Sequence, residues 1–454
     1  MRALAAIVLA ALAALRAAPA LAQSPEPSSS PTASATPEAL ATATPWRLHL
    51  PQVLRPAKEL TLLPGPRLGG AAMGIATNGR VLLQAQGAGL HHWVAEGGEG
   101  GGMDYRGQAL DLLDPAPVED AWLTLEGRLA TYLRQLREPV PGEAGRSRAF
   151  MRLSLLPVEN EGVSSAGGNL DLPGRLTAHA RAGGRLYMAM DDPEGPGRWL
   201  LTVDVSAWEA PRPLDRQDLS ETAAALLALP ETAQLLALGR GSAGPELWAW
   251  DLRGPAPMPQ AATPLPLSGE PVVLLRIPEG LLLLDRGGKG LVIPLSKGRL
   301  RPDRSRSVAF PLDQVAGPDG RRFVDVDAAV WAAGQVCLYH GIHVSTHAAT
   351  RAANNLLACF NLPAQGPPVL GRVLAADPLI DVSWWGPRVH LTVLDDLVLL
   401  SRGSAGGIEV MSLNQADPGL WVQTVDTQVP GKVTALLRQA ERLFTAEAGA
   451  QLRA

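Results

Sequence analysis

Residues 176–189 read LTAHARAGGRLYMA, and residues 433–446 read VTALLRQAERLFTA. The two stretches align without a gap, and six of their 14 positions are identical. Taken alone, the second stretch fits an amphipathic helix, because its apolar residues recur at helical spacing. Its partner carries Gly183 and Gly184 at the centre, and glycines disfavour a helix. The alignment therefore predicts that both stretches are pairs of short strands joined by a tight turn.

This turn recurs along the whole chain as a small or turn residue, a polar residue and an aliphatic run. We find copies, some of them loose, at Gly79-Arg80-Val81, Gly127-Arg128-Leu129, Gly184-Arg185-Leu186, Thr232-Ala233-Gln234, Gly280-Leu281-Leu282, Gly334-Gln335-Val336, Pro387-Arg388-Val389 and Glu441-Arg442-Leu443. Their mean spacing is about 52 residues. A fixed spacing of this size indicates a repeat architecture, in which each repeat packs on its neighbours.

Each repeat has room for four short strands separated by turn residues. In the third copy we predict strands at Leu176–Ala180, Arg185–Met190, Trp199–Val205 and Pro213–Leu219. Some strands are apolar at every position, as in Leu281–Leu284, which is typical of strands covered on both faces. Four-stranded sheets repeated at this spacing predict an all-β fold, a β-propeller with four-stranded blades.

Eight turn copies favour eight blades over seven. The eighth copy leaves too few residues for a complete blade before Ala454. We therefore predict that residues near Trp46–Leu50 or Glu59–Leu63 add its outer strands. The N- and C-terminal strands would then share one blade and close the ring, which hides the last sheet edge. In the seven-blade alternative, the first and last hairpins share a blade.

The N-terminal residues predict an exported protein. Residues 1–22 are typical of a signal peptide: Arg2, the apolar run Ala3–Leu15, and the cleavage site Ala20-Leu21-Ala22. Residues 23–45 are rich in Ser, Pro, Thr and Ala and predict a disordered linker. Residues 46–454 are predicted to form a single propeller domain. No later stretch predicts a membrane span, so we expect a secreted protein, extracellular or at the cell envelope.

The third strands carry a resemblance to a known family. Trp199–Ser206 reads WLLTVDVS and is followed by Pro211 and Pro213. This pattern of a hydrophobic strand, Asp-Val-Ser and prolines resembles the LVIVD repeats of secreted bacterial β-propellers. Looser versions occur at residues 246–252, 290–296 and 407–413. The resemblance implies a propeller located outside the cytoplasmic membrane, and it carries no shared catalytic residues.

The two cysteines, Cys337 and Cys359, fall in the predicted second and third strands of one repeat. Such strands are antiparallel neighbours, so a cross-strand bridge is geometrically possible, and export places the chain in an oxidising compartment. We predict a disulfide that encloses 21 intervening residues. The alternatives are two buried free thiols or a two-cysteine metal site.

Five of the eight histidines fall in one class of predicted loop, between second and third strands. These are His91, His92, His340, His343 and His347. Neutral imidazoles are good ligands for zinc or copper, so these residues are the candidate metal ligands. The nearby residues offer no carboxylate second shell. We therefore favour solvated loop histidines and predict no cofactor, with a divalent metal as the alternative.

Asp325 and Asp327 are the candidate catalytic residues. They are spaced i, i+2 on a predicted inner strand, where carboxylates reach the channel of a propeller. Paired carboxylates bind calcium or serve as acid and base. Turn chemistry alone also accounts for aspartates near strand ends.

Charge and missing motifs limit the function. A net charge of −4 excludes a polybasic nucleic-acid binder. The chain has no G-x-S-x-G, H-E-x-x-H or phosphate-binding loop. We therefore predict a secreted, non-catalytic binding or scaffold propeller, monomeric, with a protein or glycan partner. The alternatives are an extracytoplasmic hydrolase or lyase that uses a metal or carboxylates at the channel, and a surface-layer component.

Overall fold

The chain divides between Pro45 and Trp46, and the described residues all belong to the second unit, Trp46–Ala454. The computed structural model describes residues 72–86, 89–95, 103–111, 118–140, 142, 147–159, 162–164, 167–296, 299–317, 320, 322–323, 325–341, 355–375, 390–394, 397–401, 408–413, 422–425, 433–439, 442–447 and 452–453. The predicted signal peptide, the linker and the proposed closing strands at 46–50 and 59–63 lie outside these residues.

Seven sheets form the blades, and each is built from strands that are consecutive in the chain. Blade 1 contains β1 Ala72–Thr77, β2 Val81–Gln86, β3 Gly89–Ala95 and β4 Met103–Asp111. Blade 2 contains β5 Val118–Glu126, β6 Leu129–Pro139, β7 Ser147–Glu159, β8 Gly162–Val163 and β9 Gly168–Pro173. Blade 3 contains β10 Arg175–Ala182, β11 Arg185–Asp191, β12 Arg198–Asp204 and β13 Arg212–Asp218. The four strands predicted for the third repeat are thus confirmed.

The remaining blades follow the same antiparallel order. Blade 4 contains β14 Ala223–Leu229, β15 Gln234–Gly241, β16 Gly244–Asp251, β17 Met258–Pro259 and β18 Thr263–Pro264. Blade 5 contains β19 Pro271–Ile277, β20 Gly280–Asp285, β21 Lys289–Ser296, β22 Arg299–Leu300 and β23 Arg306–Ala309. Blade 6 contains β24 Ala328–Ala332, β25 Gln335–His340, β26 Leu356–Asn361 and β27 Val369–Ala375. Blade 7 contains β28 Leu391–Leu394, β29 Leu397–Ser401, β30 Ile408–Ser412 and β31 Val422–Val425. Short 3-10 turns span Pro230–Thr232, Pro302–Arg304 and Leu312–Gln314.

The strands that are apolar at every position are buried on both faces, as predicted. The side chains of Leu281–Leu284 on β20 are fully buried. Leu281 and Leu283 pack into the hydrophobic cluster shared with blade 4, whereas Leu282 and Leu284 pack into the cluster shared with blade 6. Successive side chains of a strand point to opposite faces, so an unbroken apolar run is what a blade between two neighbours requires.

The prediction of eight blades is wrong, because the ring closes with seven. Strand β1 packs directly on β28 and β29. Ile75, Leu82 and Trp93 of blade 1 form one buried cluster with Leu399, Val410 and neighbours of blade 7. Similar clusters fill every other interface between successive blades. Apolar packing across this seam leaves no gap for another blade.

The predicted shared blade is also wrong among the described residues, since blades 1 and 7 are each built from consecutive strands. The eighth turn copy does form a hairpin. It joins β32 Val433–Gln439 to β33 Arg442–Glu447, with β34 Leu452–Arg453 beside it in a separate three-stranded sheet. The hairpin predicted from the 433–446 alignment is therefore confirmed, but it is not a blade of the closed ring.

The recurring turn has a conformational cause. Gly79 and Gly127 adopt φ angles of 84° and 57° between the first and second strands of their blades. Side chains with a Cβ rarely adopt this left-handed conformation. Ala233 takes the equivalent turn in blade 4 with a φ of 52°. The loose fourth copy of the turn therefore keeps the backbone shape without the glycine.

The aspartate of the Asp-Val-Ser stretch has a structural role. Asp204 accepts hydrogen bonds from the backbone N–H and the hydroxyl of Ser206, at 3.0 and 2.6 Å, and from Arg212 at 3.2 Å. These bonds shape the turn between β12 and β13. The hydrogen bonds from Ser206, followed by Arg212, lower the pKa of Asp204 despite some burial.

The predicted disulfide is confirmed. Cys337 on β25 and Cys359 on β26 are paired residues of blade 6, with Cα atoms 4.0 Å apart and an S–S bond. Both side chains are fully buried in the cluster between blades 6 and 7. The alternatives of free thiols and a two-cysteine metal site are excluded by this bond.

Candidate functional site

A cleft of about 430 Å³ opens where the first strands of blades 3 to 6 begin. Its charged lining residues are Arg175, Glu270, Arg286 and Asp327. Inner strands converge on the axis of a propeller, so their first residues surround one mouth of the channel. The cleft is therefore built from four successive repeats.

Repeated β-bulges shape the floor of this cleft. The pairing of the first strand with the second skips Thr177 in blade 3, Ala224 in blade 4 and Val272 in blade 5. All three residues line the cleft. A bulge takes one residue out of the regular ladder and bends the strand. The bulges therefore bring backbone of three neighbouring blades to the channel mouth.

A chain of ion pairs crosses one wall. The Arg286 guanidinium donates to Glu270 Oε2 and to Asp327 Oδ1, each at 3.0 Å. Burial lowers the pKa of Arg286, but the hydrogen bond and charge of Glu270 and the charges of Asp327 and Asp325 outweigh it, so the pKa is raised. Arg286 is thus fully charged and fixed between two carboxylates.

Three of the predicted site residues lie at this mouth. Asp327 Oδ2 accepts the backbone N–H of Gly341 at 2.7 Å and lies 3.6 Å from His340 Nδ1. Asp325 contributes its charge to the same group. Asp325 and Asp327 precede β24, so their prediction as residues of the inner strand itself is wrong by a few positions. His340 ends β25, is 1% exposed and packs on Phe323 with ring centroids 5.3 Å apart.

The other predicted metal ligands do not join this group. His91 and His92 lie within β3 of blade 1, opposite Gln84 and Leu83 of β2, and both are buried. Their prediction as solvated loop residues is wrong, because β3 continues through them. His343 and His347 lie outside the described residues. Within the described part of the chain, no three His, Cys, Asp or Glu side chains are placed to hold a metal ion.

A second polar group lies on the inner strands and was not predicted from the sequence. His390, just before β28, has its Nε2 3.6 Å from Asp120 Oδ1 of β5. Its ring meets the Trp122 ring edge to face at 6.1 Å. His179 of β10 interacts electrostatically with His390. We call Asp120, Trp122, His179 and His390 the channel group.

One histidine of the channel group has a lowered pKa. Burial first, and the nearby His390 second, lower the pKa of His179 to about 4. The Nε2 atoms of His179 and His390 are inaccessible to solvent and have no hydrogen-bond partner among the described residues. One signal was present in the sequence: His179 aligns with Leu436 of the 433–446 stretch. His179 is thus a polar residue where the aligned inner strand has an apolar one, and this difference could have pointed to the channel.

The opposite end of the inner strands carries a separate ion pair. Arg181 Nε lies 3.4 Å from Glu126 Oε2, next to the turns that join first and second strands. Burial raises the pKa of Glu126 more than Arg181 lowers it. This pair therefore differs from the cleft, where one guanidinium bonds two carboxylates.

Within the described residues, no helix is long and apolar enough to cross a membrane.

No protein-family profile and no curated protein matches the chain. Solved structures do resemble it. The periplasmic gluconolactonase of Pseudomonas aeruginosa is 15% identical, with a TM-score of 0.50 over 80% of this chain and 98% of that one. A Bacteroides fragilis protein provisionally described as a 6-phosphogluconolactonase is 10% identical, with a TM-score of 0.49 over 80% and 98%. A chain of the mitotic checkpoint complex is 12% identical, with a TM-score of 0.47 over 88% and 100%. At these identities the likeness to the gluconolactonase supports the propeller fold alone.

Proposed function

We propose that the protein is a secreted, non-catalytic binding propeller that takes a sugar or the end of a glycan in the cleft at the channel mouth. The observation that carries this proposal is the cleft itself, about 430 Å³ in volume and lined by four successive blades. Small-molecule sites in proteins have volumes of this order and a few well-placed polar groups. Secretion and kinship with LVIVD-repeat propellers are part of the proposal.

The charges of the cleft favour binding of hydroxyl groups over catalysis. Glu270 and Asp327 each bond Arg286, yet the Glu270 side chain is 61% exposed and the Asp327 side chain 27%. A carboxylate has about four acceptor positions, so the exposed Glu270 keeps positions for ligand hydroxyls beside the partly exposed Asp327. Because Arg286 holds them, they are oriented before a ligand arrives, which reduces the entropy lost on binding.

Isothermal titration of the secreted, purified chain with neutral and acidic sugars and with short glycans tests this function. We expect binding of at least one sugar class, and loss of that binding in Glu270→Ala/Asp327→Ala. The matched control is Glu246→Ala, whose carboxylate accepts from the Trp248 indole outside the cleft. Full binding by the cleft variant, or no binding of any sugar by the native chain, contradicts the proposal.

One observation favours a second function, an extracytoplasmic hydrolase. Asp327 lies 3.6 Å from His340, and a carboxylate beside an imidazole is a common acid–base arrangement. However, His340 is buried beneath the cleft against Phe323, where a substrate does not reach it without movement.

A direct assay separates the two functions. Gluconolactone is the first substrate to test, since the Pseudomonas aeruginosa neighbour is named for its hydrolysis. Hydrolysis that disappears in both Asp327→Asn and His340→Gln, with folding retained, establishes the hydrolase. Metal analysis of the same sample tests the alternative of a divalent ion.

A further inference from the structure

Two arginines and two carboxylates line the cleft, but both carboxylates pair with the same arginine. Arg286 is bonded to both Glu270 and Asp327. Arg175, at the start of β10, is exposed and lines the same cleft. Its backbone pairs with Asp191 of β11, but its guanidinium has no ion-pair or hydrogen-bond partner among the described residues. The cleft therefore presents one positive group that the protein itself does not neutralise.

The neighbouring carboxylate does not serve Arg175. Asp191 lies opposite Arg175 in the pairing of β10 with β11. Its two oxygens instead accept from the Thr222 hydroxyl, at 3.4 and 3.2 Å. Thr222 comes from the segment that leads into blade 4, so Asp191 links two blades. A carboxylate within the protein is thus present beside Arg175 and is used for another contact.

Backbone geometry holds Arg175 at the rim. The bulge at Thr177 follows two residues later, and the Thr177 hydroxyl donates to the carbonyl of Ala189 at 3.2 Å. Leu176 between them is buried, and its N–H donates to Gln135 of blade 2 at 3.1 Å. Both contacts fix the start of β10 relative to blade 2 and to β11. The backbone that carries Arg175 is therefore fixed, and the side chain is exposed at the rim.

We propose that the ligand of the cleft is an acidic sugar, with its carboxylate bound by Arg175 and its hydroxyls accepted by Glu270 and Asp327. This inference rests on the proposed function and narrows its ligand class. A guanidinium binds a carboxylate through two parallel N–H donors, which orients the sugar ring. The two acidic side chains disfavour a ligand of higher negative charge, such as a phosphate, because like charges at short range repel.

The test is isothermal titration with D-glucuronate, D-glucose and inorganic phosphate. We expect D-glucuronate to bind about tenfold or more tightly than D-glucose, the usual size of one charge-assisted pair. In Arg175→Gln the affinity for D-glucuronate falls to that for D-glucose, whereas the affinity for D-glucose is unchanged. The control is Arg299→Gln, because Arg299 is an exposed arginine in a short outer strand of blade 5.

The outcomes separate this inference from the function on which it rests. Equal binding of D-glucuronate and D-glucose, unchanged in Arg175→Gln, overturns the acidic ligand but retains a sugar-binding cleft. Phosphate that competes as well as D-glucuronate shows a general anion site and also overturns it. Absence of binding by every sugar overturns the proposed function. Circular dichroism of each variant confirms that the blades remain folded.

Discussion

The cleft and the channel group both lie near the inner strands, and at each of them a carboxylate oxygen lies 3.6 Å from a histidine nitrogen. In the cleft, Asp327 also bonds Arg286 and the N–H of Gly341. In the channel group, the Nε2 atoms of His179 and His390 have no hydrogen-bond partner among the described residues, and burial lowers the pKa of His179 to about 4. The difference lies in Arg286, which compensates the charge of Asp327 at the partly solvated mouth, and not in the depth of the histidines, since the His340 side chain is 1% exposed and the His390 side chain 16%.

The largest expected effect comes from the disulfide, which lies in the blade that supplies Tyr339 to the cleft. Cys337 lies two residues before Tyr339, a lining residue of the cleft. We expect Cys337→Ala/Cys359→Ala to lower the free energy of unfolding by about 3 kcal/mol, from the added chain entropy of the unfolded state. Urea unfolding followed by circular dichroism measures this. A change below about 1 kcal/mol contradicts the prediction.

The second effect is a pH dependence that belongs to the channel group. Unfolded His179 binds a proton near pH 6.5, but folded His179 only near pH 4. Its contribution to stability is therefore complete above pH 6.5 and is lost as the pH falls toward 4. Between pH 7.5 and 4.5 we expect a loss of about 2.5 kcal/mol from this residue.

Urea unfolding across that pH range, compared between the native chain and His179→Gln, isolates the contribution. The native chain should lose more stability than the variant by about 2.5 kcal/mol. Parallel curves for the two proteins show that the channel admits water and that His179 titrates normally. His49→Gln is the control for a histidine in a different part of the chain.

A smaller effect is expected from the ion pairs of the cleft. Arg286→Gln leaves Glu270 and Asp327 without their shared cation, but both carboxylates remain partly solvated. We expect a loss of about 1 kcal/mol at low salt, shrinking at high salt. Thermal unfolding in about 20 mM and about 500 mM salt measures this loss. A loss that is independent of salt indicates a packing role for the Arg286 stem.

The smallest effect concerns Glu126 at the far end of the inner strands. Its pair with Arg181 is single and its side chain is 48% exposed. Glu126→Gln removes the cost of burying the carboxylate charge and also its attraction to Arg181. These two contributions to the free energy of unfolding nearly cancel. We expect a change within about 0.5 kcal/mol in urea unfolding at pH 7. A larger loss means that the pair helps to hold blades 2 and 3 together.

The features predicted correctly from the sequence are those set by the conformation and burial of neighbouring residues. The turn at Gly79 and Gly127 needs a left-handed backbone, so its recurrence revealed the repeat. The run Leu281–Leu284 revealed strands buried on both faces. Cys337 and Cys359 fell on adjacent strands, and the bond follows from that placement.

The predictions that were wrong or missing concern contacts between segments that are distant in the sequence. The count of blades is set by whether β1 reaches β28, and no local pattern records that contact. The seventh turn was placed at Pro387-Arg388-Val389, but β28 and β29 pair across residues 395–396, with Leu394 opposite Leu397. The channel group was missed because Asp120, His179 and His390 come from three blades and meet only when the ring closes.

The seam between blades 1 and 7 has a mechanical consequence. Successive blades are tied by the peptide chain, whereas β1 meets β28 and β29 through side chains such as Ile75, Leu82 and Leu399. Many closed rings are latched by backbone hydrogen bonds of a shared sheet, and the described strands here provide no such latch. A force that pulls residues 72 and 425 apart would therefore separate this seam first, and the ring would open between blades 1 and 7.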